Sequence, residues 1–190
     1  MDATALHGGF ADAPRDAAHA FRAAMQAMAR PGRIERIAGA TPPAPLSPAA
    51  GALLLTLCDP DAGVHLAGDA DNPAVRAWLA FHTGAPVVGR GACRFAVGRW
   101  ADLAPLAGFP LGTPDYPDRS ATLIVETDVL EPAGARLTGP GIDGAAALSL
   151  PETAAFRANA RAYPCGLDFF FTCGDQIAAL PRSTRVVETL

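Results

Sequence analysis

The stretch from Pro164 to Val186, PCGLDFFFTCGDQIAALPRSTRV, constrains the fold more than any other part of the chain. Leu167 to Thr172 is dense in aromatic residues and reads as a buried strand. Gly174-Asp175 is a turn signal, and Gln176 to Leu180 reads as the second strand of a hairpin. Pro181 stops that strand because it removes a ladder donor. Arg182, Ser183 and Thr184 come immediately after, polar groups at the rim of a sheet. A guanidinium beside two hydroxyls offers an anion a planar fork of donors. The same three residues also read as an ordinary surface arginine at a strand exit.

Upstream, helices alternate with short strands. Residues 1–12 read as an irregular N-terminal arm. Ala13 to Ala29 predicts a helix with Asp12 as candidate N-cap and Pro14 in the first turn, and Ala17, Phe21, Met25 and Met28 share one apolar face. Pro31 and Gly32 stop it, and Arg33 to Ala38 alternates as a strand. Ser47-Pro48 and Asn72-Pro73 are cap-plus-first-turn signatures, opening helices over 49–58 and from 73 to about 82. The first of these is nearly all apolar, so its Leu53 to Leu57 run suits a core or an interface. Strands are predicted at Val64 to Ala67, Val87-Val88, Arg94 to Val97, Ala121 to Glu126, Arg136 to Thr138 and Arg185 to Glu188. Ala101 to Leu106 predicts one helical turn, Phe109 to Asp118 a loop, and Pro151 to Tyr163 a further helix. The expectation is one layered α/β domain over residues 1–190, built around a mixed β-sheet.

Composition excludes several function classes. Half of the residues are hydrophobic and 18% are charged, which is globular and not disordered. A net charge of −4 argues against a nucleic-acid binder with a basic face. No apolar run is long enough to span a bilayer and no secretory signal is visible, so a cytoplasmic location is expected. Cys58, Cys93, Cys165 and Cys173 form no C-x-x-C pair and are expected as reduced, mostly buried thiols. The chain has no lysine at all. An internal aldimine with pyridoxal phosphate therefore cannot form, and no phosphate-loop lysine exists.

Few constellations carry chemistry. Gly139-Pro140-Gly141-Ile142-Asp143-Gly144 formally matches G-x-G-x-x-G after a strand, but Pro151 arrives too soon for the helix that a dinucleotide site needs. Gly139 and Gly141 fit a tight backbone path, a partner surface or a loose anion nest. His7, His19, His65 and His82 are scattered without metal-ligand spacing, and no metal site is expected. Ser120 and Ser183 are not in a nucleophile elbow. Asp59, Asp115, Asp118 and His82 read better as turn and cap residues than as a catalytic group. Arg30 in ARPG and Arg182 in LPRS each sit beside a proline at the end of an element. They read either as a phosphate-holding pair or as two independent surface arginines. No residue is nominated as catalytic.

Five blocks in order, FRAAMQAMARPG, LLLTLCDPD, FHTGAP, LTGPGI and the C-terminal block above, with a weaker PDRSATLIV, resemble the PhnH family of the bacterial carbon–phosphorus lyase system. Ser183 stands where the family would have Thr, and Cys165 where Leu is common. The resemblance implies a pared-down relative of the pyridoxal-phosphate-dependent transferase fold without the cofactor. It also implies an accessory subunit in phosphonate catabolism, assembled with PhnG, PhnI and PhnJ. With PhnG, PhnI and PhnL such a subunit takes part in making α-D-ribose 1-methylphosphonate 5-triphosphate from ATP and methylphosphonate. In isolation a homodimer is expected. The alternative is a nucleotide- or phosphonate-binding enzyme subunit with its own active site, for which Arg30, Arg182, Ser183, Thr184, Gly139 and Gly141 are the candidate ligand- or partner-binding residues.

Overall fold

In the computed structural model, which describes residues 7–187, the chain runs α1 (Ala13–Ala29), β1 (Glu35–Arg36), α2 (Pro48–Leu57), β2 (Val64–Leu66), α3 (Pro73–Thr83), β3 (Phe95–Arg99), α4 (Trp100–Leu103), β4 (Thr122–Glu126), β5 (Ala135–Thr138), β6 (Ala146–Leu148), α5 (Ala154–Arg161), β7 (Asp168–Cys173), β8 (Gln176–Leu180) and β9 (Arg185–Val187). Six strands form one mixed sheet in the order β1-β8-β7-β4-β3-β2, and three form a second sheet in the order β6-β5-β9. Strands β2, β3, β4 and β7 are parallel, and β8 returns antiparallel from β7 with Phe169 opposite Leu180. The predicted hairpin therefore forms, and its aromatic strand is interior to the sheet.

That strand feeds two cores because successive side chains point to opposite faces. Phe170 joins Ile124 and Val97 against the helix side that holds α1, α2 and α3. Phe169 and Phe171 join Leu123, Val125 and Phe156 on the side that holds α4, α5 and the small sheet. Phe156 meets Phe169 edge-on at 5.0 Å between ring centroids, and Trp100 tilts onto Phe156 at 4.7 Å. Burying a side chain of this size contributes roughly 1.5–3 kcal/mol.

The helix starts obey their local chemistry. Ser47 Oγ accepts from the Ala50 N–H at 3.1 Å, and Asn72 Oδ1 from the Val75 N–H at 3.0 Å. Asp12 holds the N-cap position of α1 without a side-chain cap; the Asp16 carboxylate instead accepts the Asp12 N–H at 3.0 Å.

Several expectations change. The buried face of α1 is Ala20, Ala24 and Ala27, while Phe21 and Met25 are 50% and 55% exposed. Three alanines let the helix lie close to its neighbours, and the larger side chains have no room there. Leu53 and Leu54 are fully buried in the core. The strand expected over 33–38 pairs only at Glu35 and Arg36, at the sheet edge against β8. Val87 makes a single bridge to Val64. Helix α5 begins at Ala154, three residues after the expected Pro151, and β6 occupies an alanine-rich stretch with no β-branched residue to announce it. Glu188 of the expected last strand, and residues 1–6 of the N-terminal arm, lie outside the described residues. No helix among the described residues is long and apolar enough to cross a membrane.

Candidate functional site

The C-terminal signature builds a clamp. Arg182 lies two residues past β8, level with Asp168 at the start of β7. Its backbone N–H donates to Asp168 Oδ1 at 2.8 Å and its Nε to the same oxygen at 3.2 Å. Nη2 donates to Asp168 Oδ2 and to Ser120 Oγ; Nη1 donates to the carbonyls of Pro117 and Pro164. The side chain is only 14% exposed. All five guanidinium N–H groups thus have partners inside the chain, and none is left for an external anion. The fork that the sequence offers to a ligand instead ties the hairpin to the 117–120 turn and to the loop before β7.

The other candidates adjoin this segment. Gly139, with φ +137°, brings the β5 exit against the Ser183 carbonyl. Gly141, with φ +79°, passes so close to α1 that a Cβ there would stand 2.0 Å from the Ala29 carbonyl oxygen. The GPG loop is therefore wedged between the end of α1 and the 182–185 strand exit. It brings Gly139, Gly141, Ser183 and Thr184 together, with the exposed Arg30 at the adjoining C-cap of α1. Thr184 is buried and its N–H closes a turn onto the Pro181 carbonyl at 2.9 Å. Arg30 and Arg182 make no joint anion fork, because Arg182 is consumed internally. The glycines lead into β6 and not into a helix.

A third feature lies where parallel strands end, the usual ligand position in open α/β sheets. A polar cavity of about 200 Å³ opens there, lined among others by Ser47, Asp69, Arg99, Asp102 and Glu126. Glu126 closes β4. Its Oε1 accepts the Ser47 N–H at the α2 N-terminus at 2.7 Å, and its Oε2 accepts the Thr172 hydroxyl at 2.9 Å. Burial pushes its carboxyl above the ordinary glutamate value, and the Ser47 and Thr172 hydrogen bonds pull back only in part. At the rim, Arg99 pairs with Asp128 through two hydrogen bonds of 2.7 and 2.9 Å. Such a cavity suits a small polar ligand, and Glu126 can hold a proton there above the usual carboxylate range. Among the described residues, no group of three or more His, Cys, Asp or Glu is arranged to hold a metal.

Over residues 8–187 the chain matches the model of the bacterial phosphonate metabolism protein family, PhnH. The chain belongs to the PhnH family. It is 40% identical over 189 residues, 94% of each chain, to the α-D-ribose 1-methylphosphonate 5-triphosphate synthase subunit PhnH of Rhizobium meliloti (strain 1021). The candidate site residues of this PhnH-family chain that sequence reasoning missed are Asp168, which holds Arg182, and Glu126, which lines the polar cavity. Each had a signal. Asp168 is one residue before the aromatic run and level with the hairpin exit, and Glu126 is the single charge ending the apolar TLIVE strand. The four PhnH-family cysteines are free; Cys58 and Cys93 are buried, and desolvation pushes their thiols up to about 12 and about 11. Asp59 serves a turn, its Oδ1 accepting the Asp61 N–H at 2.9 Å.

The Glu126 environment predicts a pH dependence. Below the ordinary glutamate value, folded and unfolded chains both hold the proton. As pH rises from there to the raised folded value, only the unfolded chain releases it, so stability falls with pH across that window and then levels. Glu126→Gln lacks this step. The stability of the variant relative to the parent should therefore rise with pH through the window, measured by urea unfolding in a pH series. A difference that does not vary with pH would refute the assignment.

Proposed function

We propose that this chain is an accessory subunit of the carbon–phosphorus lyase core complex in organic phosphonate catabolism, required with other subunits for making α-D-ribose 1-methylphosphonate 5-triphosphate from ATP and methylphosphonate. The observation that carries the reading is the 40% identity, over 94% of each chain, with a subunit of the synthase that bears that product's name. We take its partners to be PhnG, PhnI and PhnJ, with PhnL in the same step, its location to be the cytoplasm, and the whole chain to act as one domain. A parallel-stranded core flanked by helices supports a transferase-like ancestry, and the absence of lysine supports a form that makes no pyridoxal phosphate aldimine. The test is growth of a strain lacking its own PhnH, supplied with this chain, on methylphosphonate as sole phosphorus source. Failure of the expressed, folded chain to restore growth would overturn the reading.

The subunit role gives the outer face of α1 a purpose. Phe21 and Met25 stand exposed at an i, i+4 step, beside exposed Ala18 and Ala29 and flanked by Arg15 and Arg22. An apolar stripe with a basic border suits a partner surface with an acidic rim. With Leu53 and Leu54 in the core, this stripe and not that run is the face for subunit contact, including the homodimer we propose for the isolated chain. Phe21→Ser with Met25→Ser should change stability by only about 0.5 kcal/mol per site, as exposed substitutions do. Co-purification with the partner subunits should nonetheless be lost. Unchanged co-purification would exclude the stripe.

The Glu126 cavity favours a second reading, a nucleotide- or phosphonate-binding enzyme subunit with its own active site. Under it, Glu126→Gln abolishes synthase activity in an intact complex; under the accessory reading, activity survives.

A further inference from the structure

We propose that the Glu126 cavity binds a free aminopurine base through its exocyclic amine. The cavity, of about 200 Å³, opens where three parallel strands end: Ala67 and Asp69 follow β2, Gly98 and Arg99 close β3, and Glu126 closes β4. Leu46, Ala67 and Ala70 are almost fully buried and give it an apolar side. Glu126 is half-buried on its wall. The two partners of its carboxyl are both donors, the Ser47 N–H at 2.7 Å and the Thr172 hydroxyl at 2.9 Å. Each contact uses one lone pair on a different oxygen, so each oxygen keeps a second. A carboxyl that holds a proton on one of these donates from that oxygen and accepts at the other. Burial at this position favours the protonated form.

A donor beside an acceptor is what the amine edge of a purine requires. Adenine presents its N6 amine as donor next to N7 as acceptor, and a protonated carboxyl meets both at once. Charge and size select the free base over a nucleotide. Asp69 and Asp102 line the cavity with exposed carboxylates, and Arg99 spends two N–H contacts on Asp128. Those carboxylates oppose a phosphate chain and tolerate a neutral ring. The volume lies below the roughly 300–1,000 Å³ of sites for drug-sized ligands, so the cavity admits one base and not a nucleoside triphosphate. The choice of adenine rests on the synthase reading above. When a ribose 1-phosphonate triphosphate is made from ATP, a phosphonate oxygen bonds to ribose C1 and the bond from C1 to the base nitrogen breaks. The base leaves with that electron pair and the proton that the phosphonate gives up, so free adenine is the second product. The Glu126 cavity is the place in this chain that receives it.

The test is calorimetric titration of the purified full-length chain with adenine, purine, 6-dimethylaminopurine and ATP. Adenine is expected to bind. Purine, which lacks the amine, should bind about 10-fold more weakly. 6-Dimethylaminopurine, whose amine cannot donate, and ATP should show no binding in the same range. Glu126→Gln should keep adenine binding, because an amide also sets a donor beside an acceptor. Glu126→Leu should weaken it about 10-fold or more. The ligand series on the parent chain decides the matter even where Glu126→Leu folds poorly. Absence of adenine binding at millimolar concentration overturns the proposal. So does equal affinity for adenine and 6-dimethylaminopurine, ATP binding as tight as that of adenine, or undiminished affinity in folded Glu126→Leu. Growth on methylphosphonate separates this site from the synthase reading. A chain that restores growth but binds no adenine overturns the site and leaves that reading standing. A chain that binds adenine through Glu126 without restoring growth supports the site and overturns that reading.

Discussion

Arg182→Ala is expected to cost about 2–3 kcal/mol of stability, below the 3–5 kcal/mol of a fully buried pair because solvent still reaches both partners. The exposures of the two side chains, 14% and 22%, justify that discount. Truncation removes five side-chain hydrogen bonds and leaves the Asp168 carboxylate with only the backbone N–H of residue 182. It also frees the Pro117 and Pro164 carbonyls, so two loops lose their tie to the hairpin. Lysine should rescue little, because a single ammonium cannot reach a carboxylate, a hydroxyl and two carbonyls together. Asp168→Asn should cost less than Arg182→Ala, and the double variant should cost less than the sum, as a shared contact requires. The measurement is the urea midpoint of the four proteins. A loss within about 0.5 kcal/mol, the range of ordinary surface positions, would mean the guanidinium is not the clamp described. Any growth defect on methylphosphonate should track the loss of stability.

Gly141→Ala should be comparably damaging, by about 2–4 kcal/mol, from two sources: an unfavourable left-handed backbone and a methyl group forced against a carbonyl. The added Cβ would meet the Ala29 oxygen at 2.0 Å, with φ held at +79°. Relief requires the GPG loop and the end of α1 to part. Gly144→Ala separates the two sources, since Gly144 has φ +71° but nothing within 4 Å of the Cβ position. That variant should lose only the backbone part, about 1 kcal/mol. Equal melting temperatures for the two variants would show that the loop and α1 are not in contact.

Local signals in this chain are strong, and they locate most elements. Ser47-Pro48 and Asn72-Pro73 cap their helices through hydrogen bonds three residues away, within reach of sequence reasoning. The aromatic run has the character of an interior strand and of nothing else. Helix α1 is legible to the residue, but the face that Phe21 and Met25 mark is the exposed one. The helix faces inward with its alanines because close approach outweighs side-chain size, and that choice depends on neighbours the helix does not contain. Strand β6 is paired by β5 alone, and its own residues carry no preference for strand. The site shows the same division. Glycine spacing and Pro-Arg-Ser-Thr mark two segments that the fold brings together, but that Arg182 turns inward depends on Asp168 and Ser120, 14 and 62 positions away.

With Phe170 in one hydrophobic layer and Phe169 and Phe171 in the other, β7 is the common wall of both. Neither layer can open without dislodging the strand that completes the other. Two cores of this kind behave as one cooperative unit, whereas cores separated by a linker would melt in sequence. The Arg182–Asp168 pair sits at the mouth of that wall, where β7 begins. Loosening it is therefore felt in the packed layers on both sides of the sheet.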